Sequence, residues 1–213
     1  ENDKISLIQN KALELSLFLS LPATIALLLA SEQIISALFG YGSFDKTSVE
    51  NSSKALFYFA LGLPAFSLIK VFSSFYFARH NTKLPFYISL FSVLLNILIS
   101  IFFFKKVGFI IIPIATTISS WINSIFLFIF LKKDNFFNFN SEFASKFFKI
   151  LFSSILMGSF IYYLIIFFKT NLAYDQSFKS IFLIGIVVAG FISYLLIAFL
   201  IKAFKISDIN LKY

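Results

Sequence analysis

The sequence predicts an all-α, polytopic transmembrane bundle of six spans, and three observations carry that expectation. Of the 213 residues 59% are apolar and only 13% charged, with a mean hydropathy of +0.91, whereas soluble domains hold about 45–50% apolar and about 25% charged residues. Six apolar stretches are long enough to cross a hydrocarbon core of about 30 Å, which takes roughly 20 helical residues. Those runs lack the two-residue alternation of a membrane barrel, and the helix is the remaining way to satisfy every backbone polar group in lipid.

The first span is placed at 13–39 and is the least uniform, because Ser31-Glu32-Gln33 interrupts it and marks an expected exit to the interface. The second, 55–78, carries Lys70 and Pro64, and the third and fourth follow at 85–104 and 109–131. The longest connection, 132–146, is rich in Phe, Asn and Lys and is expected at the cytoplasmic interface. The fifth and sixth spans, 147–168 and 180–204, have no charged interior residue. They carry Gly158, Ser159, Gly185, Gly190 and Ser193, small side chains that permit close helix approach. A lipid-facing accessory hairpin and simple packing explain that pair equally well. The expected organisation is therefore four helices of one lobe in 1–133, a cytoplasmic linker in 134–146 and a terminal two-helix hairpin in 147–213, with no internal sequence repeat. Pro22, Pro64 and Pro113 lie within spans, where a missing N–H can bend or break a helix.

The formal charge of +8 comes from 18 basic residues, all lysine except Arg79. Such an excess in a soluble domain would suggest nucleic acid. Here it sits in short connections, where lysine sets topology and meets anionic headgroups, so no nucleic-acid partner is expected. Eleven basic residues fall on one side; six, namely Lys46, Lys54, Lys105, Lys106, Lys169 and Lys179, fall on the other, with Lys70 inside a span. The positive-inside rule then places both ends of this chain in the cytoplasm. The chain opens at Glu1, its only methionine is Met157, and it carries no signal peptide, so it is expected to be a fragment.

An enzyme lacks its inventory here. Of the 10 acidic residues only Glu14 and Glu32 lie within a span, near its opposite ends, and the single histidine, His80, has no carboxylate or second histidine nearby. There is no cysteine, no phosphate-binding glycine loop and no nucleophile elbow. No catalytic residue, metal or cofactor is expected.

Lys70 stands out, about nine residues inside the second span. A lysine at the bilayer centre costs about 2.5–3.5 kcal/mol on translocation scales and is a functional candidate by default. The plainer reading is snorkelling, since nine residues are about 13 Å and the side chain recovers part of that depth. Ser67 and Ser74, three before and four after, share its helix face, which favours a protein- or water-facing stripe. Matching stripes occur on the next two spans, at Ser89, Ser92, Asn96 and Ser100, and at Thr116, Ser120 and Asn123. Three polar faces can meet around one wet cavity, or they can serve only as hydrogen-bonding glue between helices.

Between residues 38 and 85 the order Leu38-Phe39, Gly42-Ser43-Phe44, Gly62-Leu63, Lys70, Arg79, Thr82-Lys83 and Pro85 forms one ungapped pattern. Ala115-Thr116, then Ser120-Trp121 and Asn123, and the closing pair Lys132-Lys133 extend it. In these residues the chain resembles the MurJ/MviN family of lipid II flippases, part of a superfamily that also contains multidrug and polysaccharide exporters. It departs from the family pattern at Tyr41 in place of an arginine, Asn81 in place of an aspartate, Leu84 in place of a threonine, and Tyr76-Phe77 in reversed order.

The resemblance implies helices nine to fourteen of a fourteen-helix transporter of the bacterial inner membrane. Such a protein moves an undecaprenyl-diphosphate-linked cell-wall precursor between leaflets by alternating access. It also implies that the main substrate-binding arginines belong to the N-terminal lobe and helix eight, outside this chain. Lys70, Ser67, Ser74, Asn96, Thr116, Ser120 and Asn123 would then line one wall of the cavity, with Arg79, Thr82 and Lys83 as a cytoplasmic motif. The terminal pair would hold the polyprenyl tail. The rivals are an exporter of the same superfamily, a membrane-bound cell-envelope transferase and a scaffold without a cavity.

Overall fold

The computed structural model describes residues 2–203. Phe204, which closes the sixth predicted span, and Lys205 and Lys212 of the charge count lie outside the described residues. Six α-helices follow one another: α1 (Asn2–Phe39), α2 (Lys46–Phe77), α3 (Lys83–Val107), α4 (Ile111–Lys133), α5 (Phe143–Phe167) and α6 (Lys179–Leu200), with a 3-10 turn at Gly108–Ile110. Among the described residues five segments are long and apolar enough to cross a membrane, the third of which, Lys83–Lys133, contains both α3 and α4. The chain is thus a multi-pass helical membrane protein.

Several helices outrun their apolar windows. α1 starts 11 residues and α2 nine residues before the predicted spans, because hydropathy marks only the part that needs hydrocarbon and further polar turns extend each helix. The start of α2 is capped by Asp45, whose Oδ1 accepts the Ser48 N–H at 2.8 Å. That backbone hydrogen bond, helped by the Ser48 side chain, holds the Asp45 carboxyl below the usual carboxylate range. Lys54 and Glu50 pair one turn further on.

Ser31-Glu32-Gln33, the expected exit to the interface, does not end the helix: α1 runs through these residues to Phe39. Nor do the prolines break their elements. α1 and α2 continue past Pro22 and Pro64, and Pro113 occupies the first turn of α4, where no N–H partner is needed. α2, α4 and α6 end alike, each followed by a left-handed residue, His80, Asn135 and Lys202. In each, the next N–H returns to the last turn, as in Asn81 to Tyr76 at 3.1 Å and Phe136 to Leu131 at 2.9 Å.

The contacts divide into two compact units. Glu1–Ser20 with Leu61–Ser145 forms the first, and Leu21–Ala60 with Lys146–Tyr213 the second, so α1 and α2 contribute to both. In the first unit the core joins Leu13, Phe72, Phe75, Tyr76, Ile88, Leu127, Leu131 and Phe137. The 134–146 connection is part of that core. Phe137 stacks on Phe75 at 5.9 Å and meets Phe139 edge-on at 4.9 Å, and Phe139 packs on Phe143 at 4.6 Å. Outward apolar side chains such as Phe86, Ile101 and Phe102 of α3 are exposed, as lipid-facing residues are.

In the second unit close approach rests on two of the glycines the sequence singles out. A Cβ at Gly158 would lie 2.5 Å from Ile25 Cγ2 of α1, and one at Gly190 would lie 2.7 Å from Ile161 of α5, whereas Gly185 faces open space. Gly158→Ala in the full-length protein is accordingly expected to cost about 1–3 kcal/mol of stability through overpacking. Gly185→Ala is expected to change nothing or to gain up to about 1 kcal/mol from helix propensity. Thermal melts of the two variants in detergent check this, and equal shifts would contradict the packing account.

Candidate functional site

The α3–α4 hairpin turns at Gly108, whose φ of +74° suits glycine. Its two polar stripes then face each other. Thr116 Oγ1 donates to Ile112 O at 2.8 Å and Ser120 Oγ to Thr116 O at 2.7 Å, which ties these hydroxyls to their own helix. Asn96 reaches across from α3, donating from Nδ2 to Thr116 Oγ1 at 2.9 Å and to Ser119 Oγ at 3.4 Å. Asn123 donates to Ser89 Oγ at 3.4 Å, while its Oδ1 is buried without a partner. Around these groups lies a cleft of about 330 Å³, lined also by Ser92. These bonds fasten α3 to α4 and leave one acceptor, Asn123 Oδ1, unspent.

The α2 stripe does not join it. Lys70 and Ser74 are exposed and Ser67 is half-buried, and none of the three lines the α3–α4 cleft. Ser74 Oγ donates to Val71 O at 2.7 Å, and among the described residues Lys70 makes no hydrogen bond or ion pair. The geometry of α4 explains the separation. Its positions 116, 120 and 123 face α3, while Thr117 and Trp121, each about 100° further round, face α2. Trp121 Nε1 donates to Leu61 O at 3.0 Å, and a Cβ at Gly62 would lie 3.0 Å from Thr117 Oγ1.

Of the three motif residues after the second span, Arg79 has a structural task. It donates from Nη1 to Phe75 O at 2.8 Å and from Nη2 to Phe136 O at 3.0 Å, and its guanidinium lies over the Phe136 ring at 4.5 Å. Thr82 precedes α3 without capping it through its side chain, and exposed Lys83 opens that helix. Both line an open cleft of about 520 Å³ that also meets Ser73 and Phe77.

Sequence reasoning missed three polar residues. Gln9 donates to Phe136 O at 3.1 Å. Asn10 donates to Asn138 O at 2.9 Å and accepts the Asn140 N–H at 3.1 Å. Together with Arg79 they fasten the 134–146 connection. The third is Lys179, counted as a connection lysine but only 1% exposed. Its Nζ donates to Gly40 O and Tyr174 O, both at 2.7 Å, beneath the rings of Tyr41 at 4.3 Å and Tyr174 at 4.6 Å. Ser180 Oγ donates to Ala37 O at 2.7 Å beside it. A cation and a hydroxyl thus satisfy carbonyls at the end of α1, where the helix dipole is negative. Among the described residues no cluster of three or more metal-ligating side chains occurs.

The family profile described as lipid II flippase MurJ matches residues 1–183. The chain belongs to the MurJ family. It is 36% identical over 157 residues to a probable lipid II flippase MurJ of Rhizobium tropici, covering 74% of this chain and 30% of that protein. A Thermotoga maritima protein described in the same words is 38% identical over 157 residues, 74% of this chain and 32% of its own length. A solved structure, lipid II flippase MurJ in an inward closed conformation, is similar with a TM-score of 0.75 and 28% identity, covering 93% of this chain and 39% of that one. The matched part of the chain therefore spans about a fifth to a third of the length of the curated MurJ relatives it matches. Several positions of the motif shared with the MurJ family have a physical reason here. Gly42 has a φ of +58°, Gly62 lies close against α4, Ala115 is fully buried, and Arg79 holds the connection after α4.

Proposed function

We propose that this chain is the C-terminal part of a lipid II flippase of the bacterial inner membrane, working by alternating access. The match to the MurJ family over residues 1–183 is the observation that carries this reading. In it α3 and α4 are separate crossings, giving six spans that correspond to helices nine to fourteen. Their 25 and 23 residues support that reading, because at 1.5 Å per residue each reaches about 35 Å. The basic excess on one side, eleven against six, supports cytoplasmic ends for this chain.

The undecaprenyl-diphosphate headgroup of the precursor needs a cationic, wet cavity, and its tail must stay in hydrocarbon. Exposed Lys70, with Ser67 and Ser74 on its face, supplies part of the first. In this reading Asn96, Thr116, Ser120 and Asn123, which line the separate α3–α4 cleft, add polar surface to the cavity wall, and Arg79, Thr82 and Lys83 make up the cytoplasmic band. The hairpin of α5 and α6, with exposed Phe152, Tyr163, Val188 and Phe191, offers the apolar surface for the tail. In this reading 1–133 belongs to the lobe, 134–146 is its cytoplasmic connection and 147–213 the tail-binding pair. The cavity closes only with the N-terminal lobe, and the protein carries its substrate without chemical change.

The test is rescue of a bacterium depleted of its own flippase by the full-length gene. Restored growth and cell shape are the expected result; failure at normal expression overturns the reading and favours another exporter. Transport by the 213-residue chain alone in vesicles would overturn the half-transporter account.

A further inference from the structure

The second unit holds a cleft of about 640 Å³ at the end of α1, the start of α2 and the α5–α6 connection. Connections between spans lie at the membrane interface, so this cleft opens in the headgroup layer. Its charges are of both signs. Two are already spent, Lys46 on Asp175 at 3.6 Å and Glu50 on Lys54. Glu32 and Lys169 also line the cleft, and among the described residues neither forms an ion pair.

Two further lining atoms want a partner. Ser36 is 6% exposed and its Oγ has no hydrogen bond, and the buried Oε1 of Gln33 has none either. A buried polar atom without a partner carries an uncompensated desolvation cost. Glu32, Gln33 and Ser36, at i, i+1 and i+4 on α1, present three acceptors to a donor with several N–H groups. A primary ammonium is such a donor. Lys169 stands ready for an anion, and Val49 and Leu172 line the cleft with apolar surface.

The geometry points to a binding site for the aminoethyl-phosphate headgroup of a phospholipid, with the ammonium on Glu32, Gln33 and Ser36 and the phosphate on Lys169. Trimethylation removes the N–H donors, and a glycerol headgroup removes the amine, so the site discriminates among headgroups of similar size.

The experiment uses the purified full-length protein in phosphatidylglycerol nanodiscs, alone or supplemented with phosphatidylethanolamine, phosphatidylcholine or soluble O-phosphoethanolamine. Thermal melting and native mass spectrometry of retained lipid are the readouts. Phosphatidylethanolamine alone is expected to raise the melting temperature and to be retained. Ser36→Ala and Gln33→Leu each weaken its retention roughly threefold to tenfold, the loss of one hydrogen bond. Ser36→Ala removes an orphan hydroxyl and so leaves the melting temperature without phosphatidylethanolamine unchanged or higher, which separates lost binding from lost folding. Equal effects of phosphatidylcholine and phosphatidylethanolamine, or undiminished retention in the double variant, would overturn the site. Soluble O-phosphoethanolamine matching the lipid would overturn the lipid as its source.

Discussion

Lys179→Ala is expected to lower the unfolding free energy of the full-length protein by about 2–4 kcal/mol. The buried ammonium makes two charge-assisted hydrogen bonds, each of a kind worth about 1.5–3 kcal/mol, and faces two tyrosine rings. Part of that is offset by the desolvation of a cation that, among the described residues, forms no ion pair. Truncation leaves the buried Gly40 carbonyl and the half-buried Tyr174 carbonyl without this donor, and that penalty dominates. Lys179→Arg is no remedy, since a planar fork does not fit where Nζ lies 3.2 Å from the site of a Gly40 Cβ. Thermal unfolding in detergent measures the effect against Lys105→Ala, an exposed turn lysine whose removal should change nothing. A Lys179→Ala melt equal to that of the native protein would refute the assignment.

Lys70→Ala is expected to abolish rescue of flippase-depleted cells at normal expression, with Lys70→Arg retaining part of it. The side chain is exposed on a span and uncommitted among the described residues, so its charge is available to a ligand rather than to the fold. Losing one cation from a wet cavity weakens capture of a diphosphate roughly ten- to hundredfold once solvent screening is allowed for. The same exposure predicts an unchanged melting temperature, which separates this variant from Lys179→Ala. Full rescue by Lys70→Ala would return Lys70 to plain snorkelling.

The contrast between these two lysines shows what the sequence reveals and what it conceals. Apolar runs mark the helices because lipid demands about twenty such residues, and the spacing of Asn96, Thr116, Ser120 and Asn123 marks the faces that meet. Periodicity identifies a face but not its partner, so the stripe of Ser67, Lys70 and Ser74 reads like the others although it stands apart from them. Lys179 sits at the border of a hydropathy window and reads as a connection residue. Its carbonyl partner at Gly40 is 139 residues away, and no local pattern announces it. Gln9 and Asn10 are hidden for the same reason, since their partners lie in a connection more than a hundred residues downstream. Tyr41 is instructive in another way: although itself exposed, its ring covers the ammonium of Lys179.

The tight turn at Gly108 bears on how the protein is made. The bond from Asn96 to Thr116 spans only 20 residues, against 51 or more for the bonds that tie α2 to α4 or to the connection after it. Short closures cost the least chain entropy and form first. The hairpin can therefore zip together during translation, while the downstream polypeptide is still in the ribosome.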